Sequence, residues 1–236
     1  MALVKRTMDN NTNPTGESAA FAVKDCALAA IATGERAQNL KELRDRLQTI
    51  DAAALYYHFW GTRLRPSFDD PEYNNDIAGW VRHGLHEPSL AERLSVVDPM
   101  DYPDLEALRF ELVEIVEDYL DRLPVIPWSH EDRQFHFIRS QIVVFDTHHV
   151  VTDPNDIVDA VSAMSAGSVF YHFIDARRRT PDQMDDFRTW LIDLDRTGYN
   201  PLCDRLAAID PYFPTLTELR DQLVAVLAGF FGEGSS

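Results

Sequence analysis

Cysteine is scarce in this chain: Cys26 and Cys203 are the two in 236 residues. Two thiols cannot build a disulfide framework, so a reduced, cytoplasmic chain is expected. Basic residues are also few. The 22 Lys and Arg stand against 39 Asp and Glu, a formal net charge of −17. Phosphate backbones are gripped by Lys and Arg clusters, so nucleic acid and anionic membrane surfaces are not expected partners. No apolar run approaches the roughly 18 to 20 residues that a membrane span requires. The first twenty residues, MALVKRTMDNNTNPTGESAA, lack the apolar core of a secretory signal. They and the closing GEGSS read as flexible tails, 1–20 and 232–236. Walker loops, dinucleotide fingerprints, nucleophile elbows and CxxC pairs are missing too, and no cofactor is implied.

What the chain does have is repetition. YYHFW (56–60) and FYHFI (170–174) match at an offset of 114. At that offset His58 falls on His172, Arg63 on Arg177, Arg65 on Arg179 and Phe21 on Phe135. At 110, Asp76 falls on Asp186 and Trp80 on Trp190. At 112, AERLSVVDP (91–99) lies over CDRLAAIDP (203–211), and at 111, LEALRFEL (105–112) lies over LTELRDQL (216–223). The matches keep one order through both halves, which is the signature of a tandem duplication. The expected organisation is unit one at 21–122, a linker at 123–134 containing LPVIPWSHED, and unit two at 135–231.

Each unit reads as one strand followed by about five helices. SQIVVFDTH (140–148) is a β-branched apolar run, hence a strand, and its counterpart CALAAIATG (26–34) is assigned the same way. Asn39 before LKELRDRL and Asp153 before Pro154 are helix N-cap signals. The YHF segments predict helices beginning near Asp51 and Ser165, and three more follow near 76–85, 89–97 and 103–122. In the last of these, Leu105, Leu108, Leu112, Ile115, Val116 and Tyr119 recur at helical spacing. A lone strand leaves its backbone N–H and C=O groups unpaired. The simplest satisfied fold is therefore α+β and predominantly helical, its two strands paired about a pseudo-twofold axis.

YYHFW (56–60), NNDIAGWVRHGL (74–85), AERLSVVDP (91–99) and LEALRFELVEIVEDYL (105–120) together resemble a bacterial and archaeal domain-of-unknown-function family. Its members read roughly as a strand and helix, then Y-Y-H, N-D-F-A-x-W-V and E-R-L-x-x-[IV]-D. The resemblance covers 21–122 well and the second half loosely. It implies a genuine domain and brings no activity, cofactor or catalytic residue.

Polar residues of reactive type concentrate in the first half, at His58, Arg63, Arg65, Asp69, Asp76, Trp80, His83 and His86, which form the candidate ligand-binding set. The second half keeps the arginines and the tryptophan but has Asp193 in place of His83 and nothing in place of His86. His58 amid aromatics reads first as a satisfied core histidine, second as a ligand or base. His83 and His86 share a helix face, a spacing that permits two metal ligands, but no defined metal motif surrounds them and no metal is assigned. Asp69 and Asp70 read as turn and cap residues before an acid–base pair. Arginine forks grip carboxylates or phosphates, and in so acidic a chain its own carboxylates are the first candidates. LVAVLAGFF (223–231) reads as the last core helix or as a docking face. The function expected is that of a cytoplasmic binding or regulatory module without catalytic activity, its partner a protein, a small polar ligand or a second copy. The alternative is an enzyme, or a sugar- or phosphate-binding protein, using the 58–86 cluster.

Overall fold

The computed structural model of the protein describes residues 20–64, 73–126, 128, 133–180, 182–195 and 197–233. Phe21 and Val23 open one half and Phe135 and Phe137 the other, each pair alternating with exposed residues at the period of a strand. They begin two 17-residue strands, β1 (Phe21–Ala37) and β2 (Phe135–Val151). The strands pair antiparallel with each other, Phe21 opposite Val151 and Ala37 opposite Phe135. They start five residues earlier than 26–34 and 140–148, because the ladder continues while Phe21, Val23, Phe135 and Phe137 take up buried positions.

A two-stranded ribbon buries too little to stand alone. Both its ends are sheathed by helices, while Val143, Val144 and Phe145 in its middle are 41–50% exposed. The pairing register breaks between Val23 and Lys24 and between Ala32 and Arg36. At each break one strand bulges, β1 at Thr33 and β2 at Thr147: Thr33 Oγ1 donates to the Phe137 carbonyl at 2.7 Å, and Thr147 Oγ1 to the Val23 carbonyl at 2.5 Å. Gly34 and His148, each following its threonine, hold φ of 82° and 58°. Such bulges raise twist and redirect a strand.

Helices α1 (Leu40–Leu47), α2 (Ala52–Trp60), α3 (Asp76–His83), α4 (Pro88–Ser95) and α5 (Leu105–Leu120) follow β1. The helix starts read from sequence at Asn39 and Asp51 are capped by those residues, and α3 is capped by Asn75. Asn39 accepts from the Glu42 N–H, Asp51 from that of Ala53 and Asn75 from that of Ala78. Leu40, Leu43 and Leu47 are fully buried on one face of α1. After β2 a 3₁₀ turn (Pro154–Asp156) leads to α6 (Ile157–Ser162) and α7 (Ala166–Val169). The chain then winds as a π-helix over Phe170–Asp175 and tightens into α8 (Ala176–Arg179). Helices α9 (Asp186–Leu194), α10 (Asn200–Ala207) and α11 (Leu216–Glu233) complete the fold. Leu219, Leu223 and Leu227 are fully buried along α11, so its apolar run serves the core.

The architecture is thus α+β and mostly helical. One continuous core joins the halves, with Trp60 packed edge-on to Tyr212 at 5.1 Å and to Phe170 at 6.3 Å. Among the described residues no helix is long and apolar enough to cross a membrane.

Candidate functional site

The buried histidines are built from α2 and the π-helix. His58 Nε2 accepts the Ile138 backbone N–H of β2 at 3.1 Å, and its Nδ1 meets Asp76 Oδ2 at 2.9 Å. His172 Nε2 accepts the Lys24 N–H of β1 at 2.8 Å, and its Nδ1 meets Asp186 Oδ2 at 2.7 Å. An accepting Nε2 places the ring proton on Nδ1, where the aspartate receives it. Each histidine thereby captures a strand N–H beside a register break and does so across the halves. The rings above them match: Phe135 lies 4.7 Å from His58 and Phe21 4.8 Å from His172. Trp80 packs on Phe135 at 5.5 Å, and Trp190 on Phe21 at 5.4 Å.

The structure brings His58, Asp76 and Trp80 together and disperses others of the predicted set. Trp80 Nε1 donates to the Arg133 carbonyl at 2.6 Å, in the segment between the halves. Arg63 turns to the second half. Its Nη1 donates to the Pro211 carbonyl at 2.7 Å, and its guanidinium lies 5.6 Å from the Trp60 ring centroid and 5.9 Å from that of Tyr212. Burial lowers the Arg63 pKa to about 10. His83 is exposed with its ring edge-on to Tyr73, and His86 is exposed with φ of 61°. Arg65, Asp69 and Asp70 lie outside the described residues. Among the described residues no three His, Cys, Asp or Glu side chains gather as a metal site.

A cleft of about 510 Å³ opens where the halves meet. Tyr56 and Trp60 of α2 form one wall, Met100 and Tyr102 another, and Ile174 and Arg177 the third. A buried charge joins the halves next to its Tyr56 wall. Asp175 is 1% exposed and accepts from Tyr56 Oη at 2.9 Å, from Arg178 Nη2 at 3.0 Å and from Arg179 Nε at 3.0 Å. Burial, then the charge of Asp175, holds the Tyr56 hydroxyl well above its ordinary pKa. Arg177 differs from its neighbours. Its guanidinium stacks on Phe173 at 4.7 Å, yet Nε and Nη2 are shielded from solvent and no described group accepts from them. Burial lowers its pKa, against the pull of Asp185, Asp210 and Asp98. The acidic residues of the cleft are already engaged: Asp104 caps α5, and Glu106 pairs with Arg109 at 2.8 Å.

The sequence marks Arg177, with Arg63, as an arginine fork able to grip an anion, and no local pattern singles out Tyr56, Met100, Tyr102 or Asp175. The available signal was divergence. At the 112 offset Met100 stands where the second half has Tyr212, and at 114 Asp175 stands where the first half has Gly61.

OrfY from Thermoproteus tenax has a similar structure, with a TM-score of 0.75 and 26% identity over 90% of this chain and 96% of that one. No curated protein matches the chain. The model of the Family of unknown function (DUF5752) matches residues 18–228, running through both halves in a single span, and the chain belongs to that family.

Proposed function

We propose that the protein is a non-catalytic binding module made of two tandem units, 21–122 and 135–231, that enclose a ligand site between them. The carrying observation is the commitment of both buried histidines to structure. His58 and His172, the buried histidines among the described residues, spend each ring nitrogen on an aspartate or a strand N–H, leaving neither ring a free lone pair for acid–base work. The duplication is supported by strands of equal length beginning 114 residues apart, by the matched histidine clamps and by bulges at Thr33 and Thr147. Superposition of 21–122 on 135–231 tests it, and failure to overlay removes it. Both cysteines are free, which supports a reducing, cytoplasmic setting.

The test of function is an unbiased metabolite thermal-shift screen on the full chain, with metal ions included. A ligand class that raises the melting temperature in proportion to log concentration, and is recovered unchanged, is the expected result. Recovery of a converted product overturns the non-catalytic reading. A second reading, a protein partner or second copy docking on the ribbon, is favoured by the exposed Val143–Phe145 stretch. Solution mass measured across concentration tests the second-copy form.

A further inference from the structure

We infer that the cleft between the halves binds a small organic anion, a carboxylate or phosphate carried on a flat, apolar body. This deepens the binding reading above and rests on it. Three observations carry it. The first is charge. Arg177 lines the cleft as a partly buried cation whose Nε and Nη2, carrying three N–H bonds between them, meet no acceptor among the described residues, while Asp104 and Glu106 are held by α5 and Arg109. A partly buried guanidinium with no carboxylate hydrogen-bonded to it favours a carboxylate or phosphate brought beside it. The second is shape. Tyr56, Trp60, Met100 and Tyr102 supply broad apolar surfaces, and about 510 Å³ suits a metabolite-sized guest.

The third is a comparison inside the molecule. Arg63 occupies the corresponding place on the other side of the junction. There its Nη1 has the Pro211 carbonyl, and Tyr212, 1% exposed, fills the space against Trp60. On the Arg177 side the residue following the matching Asp-Pro is Met100, and the space stays open. One framework therefore has a filled side whose arginine has a carbonyl acceptor and an open side whose arginine has no acceptor for Nε and Nη2 among the described residues.

The experiment is calorimetric titration of the full chain with phenyl phosphate, benzoate, inorganic phosphate, benzylamine and benzyl alcohol. Phenyl phosphate or benzoate is expected to bind with a Kd of about 1 mM or tighter. The amine and the alcohol are expected to bind at least about tenfold more weakly. Whichever anion binds tighter assigns the head group. Arg177→Met is expected to cost about tenfold or more in affinity without lowering the melting temperature, since it removes a partly buried charge whose Nε and Nη2 have no hydrogen-bond acceptor among the described residues. Met100→Tyr, which copies the filled side, is expected to abolish binding, and it keeps the test decisive should Arg177→Met fail to fold. Benzyl alcohol binding as tightly as phenyl phosphate, lost in Met100→Tyr but not in Arg177→Met, overturns the anion and leaves the binding module standing. Inorganic phosphate binding as tightly as phenyl phosphate, unchanged in Met100→Tyr, is an adventitious ion only and overturns the site. A metabolite-screen ligand insensitive to Met100→Tyr overturns the cleft but not the module. Silence in both panel and screen overturns the module itself.

Discussion

His58 holds β2 and His172 holds β1, each a side chain of one half bonded to the strand of the other. Truncation to alanine leaves a shielded strand N–H without its acceptor, removes the histidine's bond to its aspartate and opens space under Phe135 or Phe21. Each loss is expected to cost about 2–4 kcal/mol, read as a lower urea midpoint. The two variants should resemble each other in size, whereas His83→Ala, at an exposed position, should fall within about 0.5 kcal/mol of wild type. Cys26 permits a prediction in pH. Its thiol donates to the Gly167 carbonyl at 3.3 Å, and burial, followed by the charges of Asp175 and Asp25, raises its pKa from 9.0 to about 12. Above 9.0 the unfolded chain releases this proton while the folded chain keeps it. Stability from the buried thiol is therefore complete below 9.0 and lost as pH climbs towards 12. The melting-temperature gap between wild type and Cys26→Ala should narrow as pH rises above 9.0. A gap constant with pH would mean that the thiol titrates normally.

At the scale of elements, backbone conformation separates the two bulges. Gly34 and His148 share the left-handed region, but only glycine enters it without steric cost. No atom stands within 4 Å of a Cβ built on Gly34, so Gly34→Ala should lose about 1 kcal/mol through φ alone. His148→Gly should gain roughly 0.5 kcal/mol, the opposite sign at the matching place, measurable by urea unfolding. Gly167 tells a different story. A Cβ there would lie 2.2 Å from Asp25 Oδ1 and 2.3 Å from the Cys26 carbonyl, so α7 approaches β1 as closely as glycine permits. These distinctions also mark what sequence could reveal. Asn39, Asp51 and Asn75 carry local hydrogen-bonding chemistry, and their helices were legible from it. Residues 21–25 and 135–139 were not, because their place in the ladder depends on burial against helices from the opposite half. The π-helix at Phe170–Asp175 was hidden too, since its first four residues spell nearly the same letters as the α-helical YYHF. The candidate set at 58–86 suffered similarly. Its residue types were visible, but Arg63 is directed at Pro211, far along the chain, and the cleft takes its walls from segments that no local pattern connects.

Across the whole molecule, each half contributes the strand that the other half's helices need. Phe21 is enclosed by His172, Phe187 and Trp190, and Phe135 by His58 and Trp80. A chain cut between the halves separates every one of these pairs, and burying one large aromatic contributes about 1.5–3 kcal/mol. Each fragment would also present 17 residues of strand with no ladder partner. Folded domains are typically stable by about 5–15 kcal/mol, so losses of this size leave little margin for an isolated half. Residues 1–126 and 127–236 expressed separately are therefore expected to give weak, non-cooperative circular dichroism melts and rapid proteolysis. Mixed or co-expressed, they are expected to recover a single cooperative transition with protected backbone amides at Lys24 and Ile138, which hydrogen exchange can follow directly. Full protection of Lys24 in the first fragment alone would show that the strand does not depend on His172, and the two halves would then be neighbours rather than mutual scaffolds.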